Sequence, residues 1–213
     1  MSRLQRRWVM GCWCLLGLLL AAPLAAQEQF VILKYTKQLE SPAPDLRADA
    51  AFRLGMLGEK GRPATAALAK LLSDEAEAWT HVPNHMKQKV RVVAAQALLR
   101  FDSPEAYAAL LAVLTDSSRG SSISIVRQGI LRNGSPAARA ALIKACENLD
   151  PEVYEQGDYL RLLASFNELY PSDEVVPVLI RLLPTNLSHP TQLALDRQRS
   201  PVTRDALIAF LQQ

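Results

Sequence analysis

The phrase Pro63-Ala-Thr-Ala-Ala-Leu68 decides the fold class, because versions of it recur along the 213 residues of the chain. In each version a helix-start residue is followed, about six residues later, by a leucine among alanines or other apolar side chains. The other versions are Pro104-Glu-Ala-Tyr-Ala-Ala-Leu110, Pro136-Ala-Ala-Arg-Ala-Ala-Leu142, Asp173-Glu-Val-Val-Pro-Val-Leu179 and Pro201-Val-Thr-Arg-Asp-Ala-Leu207. The leucines are 42, 32, 37 and 28 residues apart, which is typical of an irregular array of helical hairpins.

Each phrase forms the second half of a predicted helical hairpin. In the first hairpin, Asp45 begins the preceding helix, and Leu46, Ala50 and Leu54 share one face of it. One hairpin cannot bury its own apolar face, so neighbouring hairpins must stack. The sequence therefore predicts an all-α superhelix, or α-solenoid, of about five stacked hairpins. The later pairs are residues 90–99 with 104–114, 123–131 with 136–149, 159–169 with 173–183, and 191–197 with 201–211.

The first 26 residues have the pattern of a secretory signal peptide. Basic residues at positions 3, 6 and 7 precede an apolar run over residues 8–22, and small residues lead to a predicted cleavage site after Ala26. The alternative is a retained membrane anchor, although the run is short against the ~20 residues that a bilayer core needs. We expect an exported protein, periplasmic or secreted, whose helical domain covers residues 27–213.

Removal of this leader changes the charge balance. The chain has 24 basic and 21 acidic residues, and the leader holds three arginines and no acid, so 21 residues of each sign remain and the net charge is zero. No overall basic field is then left to argue for nucleic-acid binding. Cys146 is the single cysteine beyond the leader, so we expect no intrachain disulfide.

The stretch from Leu39 to Gly55, Leu-Glu-Ser-Pro-Ala-Pro-Asp-Leu-Arg-Ala-Asp-Ala-Ala-Phe-Arg-Leu-Gly, resembles a HEAT repeat of the short bacterial, or HEAT-like, type. The shared pattern is an apolar helix end, an Asp/Pro turn, Leu-Arg, two alanines and Leu-Gly. Val90-Arg-Val-Val-Ala-Ala-Gln-Ala-Leu98 repeats it, and the later hairpins keep mainly the apolar spacing. In the family, the turn acid and the helix arginine brace adjacent repeats. The resemblance assigns that structural role to Asp45, Arg47 and Arg91.

The same resemblance implies that the second helices line a concave face. Cations on these helices would form a local basic strip there, suited to an acidic peptide, a polyanion or a component of the cell envelope. The alternative is ordinary solubilising surface charge. The candidate partner-binding cations are Lys70, Arg139, Lys144 and Arg181.

The segment 73–89 is the most unusual part of the chain. Loops that are longer than the repeat pattern requires often serve binding. This one contains Trp79, the single tryptophan beyond the leader. His81 and His85 are four residues apart, as on a metal-binding helix face, but Pro83 lies between them and no third ligand is evident. We therefore predict no metal site and treat Trp79, His81 and His85 as candidate partner-binding residues. The alternative is a solvated loop whose tryptophan packs against the helices.

The sequence contains no Gly-rich phosphate loop, serine-nucleophile elbow or paired-cysteine metal motif, so we predict no catalytic residue and no cofactor. The expected function is that of a non-enzymatic exported scaffold or adaptor, which binds a protein partner through its curved surface and the segment 73–89. Two alternatives stay open. A resemblance to HEAT-like lyase subunits, which attach or detach a tetrapyrrole chromophore, implies an enzyme subunit. The pair His81 and His85 would suit a small-ligand or metal-binding envelope protein.

Overall fold

The structure is a computed structural model that describes residues 26–80, 86–115, 120–149, 157–183, 191–192, 195–196, 198 and 200–212. This part of the chain is mostly helical, which confirms the predicted all-α class. The α-helices are α1 over residues 26–38, α2 (Pro44–Met56), α3 (Thr65–Lys70), α4 (Val90–Phe101), α5 (Pro104–Leu111), α6 (Gly120–Asn133), α7 (Pro136–Glu147), α8 (Gly157–Leu169), α9 (Val176–Leu182) and α10 (Pro201–Leu211). Short 3₁₀ helices cover Gly58–Ala64, Leu71–Ser73, Ala112–Thr115 and Asp173–Val175.

Serine caps begin most of the second helices. Ser103, Ser135 and Ser200 each accept a hydrogen bond from the amide three residues further on, and a proline follows each of them at the first helical position. The serine oxygen satisfies an amide that the helix leaves unpaired, and the proline has no amide to satisfy. The predicted helix starts at residues 104, 136 and 201 are therefore confirmed.

The first phrase differs from this pattern. Pro63 lies inside the 3₁₀ helix Gly58–Ala64, and α3 begins two residues later, at Thr65. The residue directly before this proline is Arg62, which cannot act as a serine cap. The prediction that Pro63 opens a regular α-helix was wrong, because the tight turn after α2 continues through the proline.

The first helices end on residues in the left-handed backbone region. Gly58 follows α2 with φ of 56°, Asp102 follows α4 with φ of 46°, and Gly134 follows α6 with φ of 58°. A left-handed residue turns the chain away from the helix axis, and glycine adopts this conformation without a side-chain clash. The chain then enters the second helix of each pair within a few residues.

The helices pack in two rows. In one row α2 contacts α4, α4 contacts α6, and α6 contacts α8, whereas in the other α3 contacts α5, α5 contacts α7, and α7 contacts α9. Helix α10 packs on α9. Four of the five phrase leucines, at positions 68, 110, 142 and 179, are fully buried between these helices, and Leu207 is half-buried. The apolar spacing thus correctly located the core.

Helices α2 and α4 approach closely at Gly55 and Ala97. A Cβ atom placed on Gly55 would lie 2.8 Å from the backbone Cα of Ala97. Only glycine fits at this point, because neither backbone can move aside without separating the two helices. Gly55 therefore serves the packing of α2 on α4, and α2 continues past it to Met56.

An antiparallel β-hairpin interrupts the helices in the segment 73–89. Strand β1 (Glu77–Thr80) pairs with β2 (Met86–Lys89), with Trp79 opposite Lys87. Strand β1 also packs along α2, and Ala78 is 1% exposed. The loop predicted for this segment was therefore wrong, because neither strand shows the strong alternation of apolar and polar residues that indicates a strand in a sequence.

Candidate partner-binding surfaces

Two of the residues assigned to repeat bracing anchor the β-hairpin to α2. The carboxylate of Asp45 accepts a hydrogen bond of 2.8 Å from the backbone amide of Trp79. The guanidinium of Arg47 donates to the carboxylate of Asp74 at 2.7 Å and to the carbonyls of Ser41 and Pro42 at 2.8 and 3.0 Å. These bonds fix both ends of the segment that leads into β1.

The third bracing residue holds the same segment from the side of α4. Arg91 is 3% exposed and forms an ion pair with Glu75. The backbone amide of Arg91 also donates to the carbonyl of Asp74 at 3.1 Å, and that of Val90 donates to the carbonyl of Ala76 at 2.9 Å. A buried guanidinium needs an opposite charge, so the ion pair ties the hairpin to the core.

The anchored hairpin presents an aromatic side chain at the surface. Trp79 is 52% exposed, and the ammonium group of Lys87 lies 5.6 Å from the centroid of its ring. Lys87 also lies 3.7 Å from the carboxylate of Glu77. A half-exposed tryptophan on a fixed backbone loses little entropy when a partner covers it, which suits a contact residue.

The two candidate histidines, His81 and His85, lie outside the described residues. Among the described residues, no group of three or more His, Cys, Asp or Glu side chains is arranged to hold a metal ion.

A groove lies between the second helices α5 and α7. It has a volume of about 440 Å³ and is open to solvent. Small apolar side chains form most of its lining, because α5 and α7 each present alanines toward it. Tyr159 closes one end through a hydrogen bond of 3.0 Å from its hydroxyl to the carbonyl of Leu111. The lining alanines are Ala108, Ala112, Ala140, Ala141 and Ala145.

Charged side chains lie along the rim of this groove. Glu105 lies in the first turn of α5, and Lys144 lies in the last turn of α7. Hydrogen bonds from its own backbone amide and from the Ser103 hydroxyl hold the pKa of Glu105 below its usual value, so its carboxylate is charged at neutral pH. The groove thus has an apolar floor and charges of opposite sign on its rim. Complementary charges on a partner would bind in one orientation only.

The four candidate cations have different surroundings. Arg139 donates to the carbonyl of Tyr170 at 3.1 Å, and its guanidinium lies 5.9 Å from the centroid of the Phe166 ring. Arg181 donates to the carbonyls of Cys146 and Glu147 at 2.9 and 2.8 Å. Both arginines therefore bond carbonyl groups at helix ends, where positive charge is favourable.

Lys70 and Lys144 are exposed. Lys70 lies in the last turn of α3, whereas Lys144 lines the groove between α5 and α7. Of the four cations, Lys144 is thus the one that the structure brings to this groove.

A polar cluster around the buried Tyr107 connects the central hairpins, and it was not predicted from the sequence. The hydroxyl of Tyr107 donates to the carboxylate of Asp102 at 2.9 Å and accepts from the amide of Asn133 at 3.0 Å. The same amide donates to the carbonyl of Leu99 at 2.8 Å. Burial raises the pKa of Tyr107. The only sequence signal was a tyrosine within an alanine-rich phrase, and its partners lie up to 28 residues away.

The alanines of the phrases around Leu110 and Leu142 do not all pack inside the protein, since Ala108, Ala112 and Ala140 are exposed. Alanine suits both situations, because a small side chain permits close packing on one face and leaves a depression on another.

No protein-family model matches the chain, and no curated protein matches it. Within the described ranges, no helix has the length and the apolar character needed to cross a membrane.

Proposed function

We propose that the protein is an exported, non-enzymatic scaffold or adaptor with a HEAT-like α-solenoid fold, and that it binds a protein partner. The two rows of helices support a repeat architecture. The leader-like pattern of residues 1–26 supports export.

The observation that carries the binding function is the groove between α5 and α7. Its floor consists of small apolar side chains, and its rim carries Glu105 and Lys144. A depression of this kind accepts apolar side chains of a partner, while charged groups at the rim select its orientation. The exposed Trp79 on the anchored hairpin is a second contact point for the protein partner.

The test is affinity capture from an envelope extract with matched alanine-to-arginine variants. Ala140→Arg fills the groove with a long cationic side chain, whereas Ala209→Arg makes the same change on the exposed surface of α10. We expect a protein that is retained by the unchanged chain and by Ala209→Arg, and whose recovery with Ala140→Arg falls about tenfold or more. Equal recovery of every retained protein by both variants would count against the groove.

Export is tested independently of binding. Terminal sequencing of the protein recovered from an exporting host is expected to start at Gln27, directly after the predicted cleavage site. A mature form that still begins at Met1 and remains in the cytoplasm would contradict this part of the proposal.

A further inference from the structure

Helix α1 has one face on the core and a second face with apolar side chains in solvent. Ile32 and Tyr35 pack against the core. On the outer side, Phe30 and Leu33 are each 68% exposed. They are three residues apart, so they lie next to each other on one face of the helix. These two side chains form a small apolar patch, which becomes distinctive only together with the charges beside it.

The charged residues beside this apolar pair are cationic. Lys34 and Lys37 are exposed, and each is three or four residues from Leu33 or Phe30, so they flank the same face. The acidic residue within the helix is Glu28, whose carboxylate is already paired with Lys60 at 2.5 Å. The outer face therefore combines two apolar side chains with positive charge.

The position of α1 in the chain places this face near a bilayer before the predicted leader is removed. The helix begins at residue 26, and the apolar run that predicts a membrane-targeted leader ends at residue 22. The few residues between them span at most about 10 Å when extended. While that run occupies a bilayer, the extended linker and the first two turns of α1 keep Phe30 and Leu33 within about 25 Å of the lipid headgroups.

We propose that the outer face of α1 is a peripheral membrane-docking surface that binds anionic lipid bilayers. Phe30 and Leu33 enter the boundary between headgroups and acyl chains, and Lys34 and Lys37 contact lipid phosphates. An amphipathic helix with apolar and basic residues binds an anionic membrane surface in this way. Charge favours lipid over a second copy of the chain, because two such faces would bring lysines together with no acid between them.

The test is co-sedimentation of the full chain with phosphatidylcholine vesicles that contain or lack phosphatidylglycerol. Phe30→Glu with Leu33→Glu is expected to weaken binding about tenfold or more, because it puts charge in place of both apolar contacts. Ile208→Glu with Leu211→Glu is the matched control, since these residues are 48% and 80% exposed on α10, and it is expected to bind like the unchanged chain. Lys34→Gln with Lys37→Gln is expected to weaken binding to the anionic vesicles about tenfold and to leave binding to neutral vesicles unchanged.

Circular dichroism checks that all variants keep the helical fold. The proposal is overturned if the α1 double-glutamate variant binds like the unchanged chain, which would assign binding to the apolar run at residues 8–22 or to another part. It is also overturned if neutral vesicles bind as well as anionic ones. Self-association that occurs without lipid and disappears with the α1 change would assign the face to a second copy. None of these outcomes bears on the groove between α5 and α7.

Discussion

Arg47 and Asp74 form an ion pair of 2.7 Å that joins helix α2 to the segment leading into the β-hairpin, and each side chain is 15% exposed. The same guanidinium donates to the carbonyls of Ser41 and Pro42. One side chain therefore holds three parts of the chain together: the turn before α2, α2 itself and the approach to β1.

Replacement of Arg47 by methionine should destabilise the protein by about 2 kcal/mol, because Asp74 is left partly buried without its counter-charge. Urea unfolding followed by circular dichroism measures the change. Arg53→Met is the control, since Arg53 pairs with Asp49 at the surface and such pairs contribute at most about 1 kcal/mol. Equal losses for the two variants would contradict an anchoring role for Arg47.

Removal of the cap of α7 should also be measurable. Ser135→Ala deletes the acceptor for the amide of Ala138 and is expected to cost about 1 kcal/mol. Ser165→Ala in the exposed middle of α8 is expected to be neutral or slightly stabilising, because alanine is the better helix former. Thermal unfolding of the two variants compares them directly, and an unchanged midpoint for Ser135→Ala would argue against the cap.

Two glycines in helices should respond differently to alanine. A Cβ on Gly55 meets the backbone of Ala97, whereas a Cβ on Gly129 meets the end of the Leu99 side chain, which can rotate away. We expect Gly55→Ala to cost about 2 kcal/mol through overpacking. Gly129→Ala should be close to neutral, because the gain in helix propensity offsets the repacking of Leu99. Denaturant unfolding that ranks the two glycines in the opposite order would refute this reading of the contacts.

Among the candidate cations, replacement of Arg139 should lower stability, whereas replacement of Lys144 should not. Arg139→Met removes the bond to the carbonyl of Tyr170 and is expected to cost about 1 kcal/mol. Lys144 lies on the exposed rim of the groove, so Lys144→Met should change the free energy of unfolding by no more than about 0.5 kcal/mol. Chemical denaturation gives both values. A larger loss for Lys144→Met would reverse the assignment.

Burial makes the Cys146 thiol unreactive and makes the stability of the fold depend on its ionisation at high pH. Burial raises the pKa of the thiol to about 12, above the value near 9 of an exposed thiol. Because the folded-state pKa is the higher one, the contribution to stability is complete below pH 9 and is lost as the pH rises towards 12. Iodoacetamide at pH 8 should modify Cys146 only under denaturing conditions, as peptide mass spectrometry will show. Rapid modification in the folded state would contradict this burial.

The helices were predictable because their information is local. Apolar spacing and proline positions define α4, α5, α7 and α10 to within a few residues, since a helix depends on neighbours three and four positions away. The β-hairpin was not predictable in this way. Its strands Glu77–Thr80 and Met86–Lys89 carry charged residues, and the hairpin is held by Asp45 and Arg47, which lie about thirty residues earlier.

The candidate site was predictable only in part for the same reason. Helix periodicity indicates that Arg139, Lys144 and Arg181 lie on second helices, but it contains no information about the carbonyl groups that the two arginines reach. Those carbonyls belong to helix ends about 31 to 35 residues away in the sequence. The exposure of the groove alanines depends on the distance between α5 and α7, which is a property of the packed structure.

The order in which the helices meet has a consequence for how the chain acquires its structure. Each row joins helices that are one hairpin apart in the sequence, beginning with α2 on α4, so every contact closes only a short loop. Short loops lose little entropy on closing, and chains rich in such contacts fold fast. The amino-terminal hairpins can therefore fold while the carboxy-terminal ones are still being synthesised, and each completed hairpin supplies the surface on which the next one packs.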